Sequence, residues 1–334
     1  MIAKKHFTRA REEHMTHLFV LLVSLLGVTS ALAQVFPSRP IRIVVPFAAG
    51  GPADITSRNI APRLGELLGQ PIVVDNRAGG NGSIGAEAMI RAPADGHTLL
   101  MTTASVTSIN MVTYAKPPYD TLRDMLPLSP VMTTGSLIVL HPSMPVKNLK
   151  EFVAFAKARP DQIAFGSAGL GGTLHLGLEM LMAEAQIKIT HVAYKGAAPA
   201  VTDVTAGQIQ GMFVDLPVIS PYVKSGRVKA IAVAAQQRSP HFPEIPSARE
   251  QGFANIDMLN YYGLLTQAKV PRDIALKLHD AIIRTVNTPA VRERLLAVGA
   301  DPLTMTIEEF GEYIRKDIEK WRRVVKIANL SFER

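Results

Sequence analysis

The sequence predicts an α/β protein of two lobes built on largely parallel sheets. Three observations carry this expectation. Short β-branched runs alternate with helical patterns along most of the chain. Glycine-rich turns stand at the carboxyl ends of the strands, at residues 48–51, 165–173 and 194–197. The strand–helix units fall into two groups, and a long helical tail follows them.

Residues 41–45 are β-branched and apolar and read as a buried strand. A small-residue turn follows, and Pro52 suits a first helical position because it forfeits no helical hydrogen bond there. That helix runs to Leu68. Strands are expected at 71–75 and 98–102, around a glycine-rich turn at 76–82 and a helix over 83–91. The second group has strands at 137–140, 163–166, 190–194, 211–215 and 228–234. Its helices are 149–158, capped by Asn148, then 173–185 and 198–206. A late strand at 261–265 precedes helices at 272–287, 289–298 and 307–329. In the last of these Ile307, Phe310, Ile314, Ile318 and Trp321 form one apolar stripe, which reads as core contact. Residues 34–136 plus 258–334 are expected to form one lobe and 137–257 the other, with chain crossings near 137–140 and 258–265. In open α/β sheets ligands bind beyond the carboxyl ends of strands. Two such lobes facing each other would place the glycine-rich turns around one cleft, which a hinge could close.

Composition bounds the function. Of 334 residues 47% are hydrophobic and 19% charged, which suits a globular chain. Residues 1–33 read as a secretory signal peptide. Lys4, Lys5, Arg9 and Arg11 are its basic region, residues 18–28 an apolar core too short to span a bilayer, and Ala31-Leu-Ala33 the cleavage site. Export to the periplasm is therefore expected. Removal of a segment with four Lys/Arg and two Asp/Glu leaves +6 of the formal +8 charge. The basic residues are scattered without an aromatic-interleaved patch, so no nucleic-acid partner is expected. Cysteine is absent, which removes disulfides and thiol catalysis. No metal-ligand spacing and no GxSxG elbow occurs, and Ser167 has Phe165 two residues before it. Gly80-Asn-Gly-Ser-Ile-Gly85 spells GxGxxG, but the preceding strand ends several residues too early for a dinucleotide site. No cofactor is expected, and the chain is not read as an enzyme; a periplasmic hydrolase with a non-contiguous triad is the enzyme alternative.

A strand feeding a glycine-rich turn into a helix presents unpaired N–H groups and a partial positive charge, which together make an anion site. The repeated arrangement reads as several helix N-termini aimed at one small anion. A side chain at Gly51 would obstruct close approach. Asp54 could serve its own helix start or face a ligand. Thr173 could cap its helix or bind the far end of a ligand. His175 fits packing as well as contact, and Lys195 fits solvent as well as the site.

These residues carry a resemblance. Val45-Pro-Phe-Ala-Ala-Gly-Gly51 with Asp54, then Asn76, Arg77, Gly85, Ala86, Glu87, Asp95 and Gly96, form one set of matches. Ser167, Ala168 and Gly169 with Thr173 and His175 form another; residues 191–196 and Arg238, Ser239, Pro240, Pro243 and Pro246 complete it. Over residues 36 to 330 the chain resembles the Bug (Bordetella uptake gene) family of periplasmic solute receptors of tripartite tricarboxylate transporters. The resemblance implies a type II periplasmic-binding-protein fold with a Venus-flytrap mechanism. It implies a small organic acid as ligand: a di- or tricarboxylate, an acidic amino acid or an aromatic carboxylate. It also implies membrane transporter subunits as partners. The chain is read as a monomer, and a sensory receptor docking on a membrane signalling protein is the alternative. The family's carboxylate loop maps to Phe47, Ala48, Gly50, Gly51 and Asp54. Facing positions are the run from Thr102 through Thr103 and Ala104 to Ser105, then Ser167, Ala168, Gly169, Thr173, His175, Tyr194, Lys195, Gly196, Ala197 and Asp215. Position 215 varies among relatives, so Asp215 is implied as a selectivity residue.

Overall fold

The computed structural model describes residues 36–327. The segment read as a signal peptide lies outside the described residues. From Arg39 onward the chain forms one compact unit. Its elements in order are β1 (Ile41–Val45), α1 (Pro52–Leu68), β2 (Ile72–Asn76), α2 (Ser83–Ile90), β3 (Thr98–Thr103), α3 (Asn110–Thr113) and α4 (Thr121–Asp124). Next come β4 (Met125–Thr134), β5 (Ser136–Leu140), α5 (Leu149–Lys157), β6 (Ala164–Ser167), α6 (Thr173–Ala185), β7 (Thr190–Ala193), α7 (Ala197–Thr205), β8 (Gly211–Asp215), α8 (Leu216–Lys224) and β9 (Lys229–Val233). The chain ends in β10 (Asn260–Gln267), α9 (Arg272–Val286), α10 (Pro289–Ala297), β11 (Asp301–Pro302) and α11 (Ile307–Ile327).

Two sheets organise these elements. One has the order β11-β4-β10-β3-β1-β2, the other β7-β6-β8-β5-β9. In the first, β1 pairs in parallel with β2 and β3, while β10 runs antiparallel between β3 and β4. In the second, β6 pairs in parallel with β7 and β8, and β5 runs antiparallel to β8 and β9. The chain leaves the first sheet at Gly135, between β4 and β5, and re-enters it at Asn260. This is a two-lobed α/β architecture with two crossings, as the sequence predicts.

Local chemistry sets the elements. Helix α1 opens at Pro52 and ends where Gly69, in the left-handed conformation, donates its N–H to Gly65 O. Asn148 caps α5 by accepting from Glu151 N–H, while the Glu151 carboxylate accepts from Lys147 N–H. Helix α2 packs so close to the loop after β1 that a Cβ at Gly85 would stand 2.8 Å from Pro46 Cα. Two elements depart from the sequence pattern. Strand β4 holds Pro127 and Pro130, residues that argue against an interior strand. Its register against β10 shifts at Tyr262/Gly263 and again at Leu264/Leu265, and these irregularities accommodate both prolines. Helix α8 follows Asp215 directly because Pro217 stands in its first turn.

The apolar stripe of α11 is buried from Phe310 to Trp321, while Ile307 at its start is half-buried. Phe310, Ile314 and Ile318 join the core of the first sheet with Val44, Leu100 and Leu265. Trp321, farther along the helix, joins the core around Phe152, Phe165 and Phe213 of the second sheet. Phe310 closes on Gly263, where a Cβ would lie 2.7 Å from its ring. Phe310→Ala should therefore cost about 3–5 kcal/mol in urea unfolding. Gly311→Ala, whose Cβ would meet nothing within 4 Å, should instead stabilise by about 0.5–1 kcal/mol through helix propensity. Equal effects of the two substitutions would contradict this docking of α11.

Candidate functional site

Strand ends from both sheets converge on one cavity of about 40 Å³. The loop after β1 brings Phe47, and the first turn of α1 brings Pro52 and Ala53. The end of β3 and the turn beyond it contribute Thr103 and Ser105. From the second sheet come Ala168, Gly169 and Gly172 after β6, Thr173, Leu174 and His175 in the first turn of α6, Ala197 at the start of α7, and Asp215 at the end of β8. Strand β10 is antiparallel to β3, with Tyr262 paired to Thr103, so its first residues Asn260 and Tyr262 arrive at the same end. Asn81 closes one side. A helix leaves its first-turn N–H groups without intrahelical acceptors. The cavity is thus bordered by three helix starts and by hydroxyls, and no lysine or arginine lines it. A wider recess of about 250 Å³ adjoins it, sharing Phe47, Asn81, Ala168 and Gly169 and adding Tyr114, Leu170, Tyr194 and Lys195.

The loops of the two sheets touch directly. Ala48 N–H donates to Lys195 O at 3.0 Å. Thr173 N–H donates to Ser105 Oγ at 3.0 Å, and Ser105 Oγ and Thr173 Oγ1 are also 3.0 Å apart. Asn81 Nδ2 donates to Gly171 O at 3.3 Å and to Asn110 Oδ1 at 2.9 Å. Asn110 Nδ2 returns a bond to Asn81 O, and Tyr119 OH holds Asn110 in place. Asn81 Oδ1 lies so near the facing loop that a Cβ at Gly172 would stand 2.6 Å from it, and one at Gly169 2.9 Å.

Each predicted site residue has a definite place. Phe47, Ser105, Ala168, Gly169, Thr173, His175, Ala197 and Asp215 line the cavity. Tyr194 and Lys195 line the outer recess. Ala48, Gly50, Gly51, Asp54, Thr102, Ser167 and Gly196 line neither space. Gly50 N–H donates to Asp54 Oδ2 at 2.9 Å, and Asp54 also pairs with Arg58, so Asp54 serves its own helix start. Thr173 is the first residue of α6 rather than its cap, which is Gly172; its hydroxyl faces Ser105. A Cβ at Gly51 would make only ordinary contacts, whereas one at Gly196, where φ is +147°, would lie 2.9 Å from Ala48 N. The obligatory glycine of this contact is therefore Gly196. Thr103 falls within the expected run 102–105, whereas sequence reasoning missed Pro52, Ala53, Asn81, Gly172, Leu174, Asn260 and Tyr262 as lining residues. The Asn81 signal was present, inside the GxGxxG.

Electrostatics divide the walls. His175 accepts from Gly171 N–H at Nδ1 and reaches Glu179 with Nε2, so it braces the loop before α6. His191 stacks on it at 3.7 Å, and burial reinforced by His175 pushes His191 down to about 3. His191 Nε2 meets Ser167 Oγ at 2.7 Å. Tyr194 OH donates to Asp203, and burial together with that carboxylate pushes the phenol up to about 12. Asp215 is buried on the cavity floor and raised from its ordinary value: burial outweighs the hydrogen bonds from Ser136, Tyr262 and Asn260. For Asp54 the balance is reversed. Burial raises it, but Arg58, Gly50 N–H and Asn76 together hold it below the ordinary value. Among the described residues no group of three or more His, Cys, Asp or Glu is placed to hold a metal, and no helix is long and apolar enough to cross a membrane.

Comparison with known proteins places this geometry. Residues 56–330 match the model of the tripartite tricarboxylate transporter family receptor, TctC. Protein BugT of Bordetella pertussis is 32% identical over 295 residues, covering 88% of this chain and 90% of BugT. The structure of the periplasmic binding protein BugD superposes with a TM-score of 0.86 at 29% identity, over 89% of this chain and 99% of that one. R. palustris Rpa4515 with adipate gives 0.85 at 28% identity over 89% and 99%. MatC from Rhodopseudomonas palustris with bound malate gives 0.83 at 29% over 87% and 100%.

Two outcomes follow from the loop geometry. Gly196→Ala should destabilise the protein by about 1–3 kcal/mol, because φ of +147° and the Ala48 backbone both oppose a side chain. Gly51→Ala should cost less than about 1 kcal/mol, and thermal melts of the two variants compare them directly. Asp54 is held below its unfolded value of 3.8, so its contribution is present above that pH and is lost as pH falls through the folded value. Asp54→Asn should accordingly lower stability by roughly 1–3 kcal/mol at neutral pH, with the gap to wild type closing in acid. A gap that stays constant from neutral pH into acid would contradict the assigned charge.

Proposed function

Because the chain belongs to the tripartite tricarboxylate transporter receptor family, whose members are periplasmic, we propose that it is a solute receptor for a small organic carboxylate. The observation that carries this is the cavity bordered by the first turns of α1, α6 and α7 and by the hydroxyls of Thr103, Ser105 and Thr173. Helix starts and hydroxyls can hold an anion without a cationic side chain. Hydrogen bonds to a charged group contribute roughly 1.5–3 kcal/mol each, so a few of them approach the roughly 8 kcal/mol of micromolar binding after ordering costs. Relatives crystallised with adipate and with malate support a dicarboxylate as the ligand here.

In this reading residues 34–136 with 258–334 form one lobe and 137–257 the other. The lobes hinge at Gly135 and near Asn260, and the contacts of Ala48, Asn81 and Ser105 across the cleft form on closure. A cavity of about 40 Å³ accommodates only a few waters, so the ligand enters when the lobes part. The site residues are those of the cavity wall, with the outer recess of Tyr194 and Lys195 taking whatever extends beyond it. The mature chain, cleaved after Ala33, acts as a monomer and delivers its ligand to the membrane subunits of the transporter.

Native mass spectrometry of the purified protein, then thermal melts of stripped protein against dicarboxylates, tricarboxylates, acidic amino acids and aromatic acids, tests the reading. A carboxylate at about a hundred times its dissociation constant should add about 2.7 kcal/mol of stability. No mass increment and no shift with any of these acids would sink it.

A further inference from the structure

Asp215 stands at the N-cap of α8, where an aspartate ordinarily accepts from the first-turn amides, yet its side chain makes no capping bond. It turns instead into the cavity floor, 1% exposed. There Oδ1 accepts from Ser136 Oγ at 2.5 Å, and Oδ2 accepts from Tyr262 OH at 2.5 Å and Asn260 Nδ2 at 3.0 Å. All three donors are neutral, and no lysine or arginine lines the cavity. The cluster is one proton short. Ser136 Oγ faces two acceptors, Asp215 Oδ1 and Met258 O at 3.1 Å, but a hydroxyl has a single hydrogen to donate. A proton on Asp215 Oδ1 would let the carboxyl donate to Ser136 and free the Ser136 hydrogen for Met258 O.

We propose that Asp215 is a proton-binding site of the cleft, and that a carboxylate entering the cavity binds together with about one proton held at Asp215 Oδ1, against Ser136. The inference rests on the reading of the cavity as a carboxylate site. An anion placed beside a buried carboxylate favours the protonated form, as when two acids share one site. Burial already biases Asp215 the same way. The other titratable groups facing the cluster are Tyr262 from β10, held neutral by burial and by Asp215, and His175 from α6, with Glu179 and His191 behind it. Strand β5 contributes only the Ser136 hydroxyl, and the lining residues of α1 and α7 carry no titratable side chain. Coupling of this kind makes affinity fall by up to about tenfold per pH unit between the free and bound values of Asp215.

Isothermal calorimetry of the mature chain with malate and with adipate, between about pH 5 and 9 in two buffers of very different ionisation enthalpy, reads the proton directly. The expected result is uptake approaching one proton within that range, with affinity falling as pH rises, and loss of both in Asp215→Asn. Ser136→Ala keeps the carboxyl but removes its partner, and should move the pH window without changing the stoichiometry. The wild-type measurement decides the coupling even if Asp215→Asn fails to fold. Equal heats in both buffers at every pH would overturn the proposal, and uptake persisting in Asp215→Asn would place the proton elsewhere and overturn it too. Absence of binding by either acid, with no stabilisation by any acid of the melting panel, would remove the carboxylate reading itself and the coupling with it.

Discussion

The structure turns on one buried carboxylate at the place where the two sheets exchange chain. Asp215 ends a strand of the second sheet. It is held by Ser136, the first residue after one crossing, and by Asn260 and Tyr262, the first residues after the other. Burying a carboxylate without a cation is costly, and the bonds from three neutral donors offset that cost only in part. The three donors belong to both crossings, so satisfying this one group fixes where each crossing runs. The ends of β3, β6, β8 and the start of β10 are thereby brought around a common floor.

Everything above that floor follows from strand direction. Parallel strands deliver their carboxyl ends to one edge, and each is followed by a turn and a helix start. Those helix starts would carry unsatisfied N–H groups wherever they stood. Because two sheets present theirs to each other, these helix starts gather around one enclosed space, where a low dielectric strengthens their dipoles. The direct loop contacts, Ala48 to Lys195 and Asn81 to Gly171, are modest hydrogen bonds, each contributing about 0.5–1.5 kcal/mol. Under the proposed hinge, bonds this modest bias closure without holding it shut, and the proposed carboxylate decides the equilibrium.

Much of this was legible in the sequence, for identifiable reasons. The glycine-rich turns could be read because their chemistry is local: Pro52 announces a helix start and the β-branched run before it a strand. The α11 stripe could be read because its period is helical. What escaped depends on partners distant in sequence. Strand β4 was masked by Pro127 and Pro130, which are tolerated only because β10 shifts register opposite them. Asn260 and Tyr262 gained their places from an antiparallel pairing that no local pattern encodes. Asn81 was visible but misdirecting, since its flanking glycines spell a phosphate-loop pattern. Their use here is a left-handed turn that carries the asparagine side chain to the facing loop.

Helix α11 has a different consequence. It follows every strand among the described residues, yet it supplies Phe310 to one core and Trp321 to the other. Neither core is complete until the chain beyond Pro302 has been made. The late helix thus couples the two cores, and whatever shifts it reaches both sheets at once.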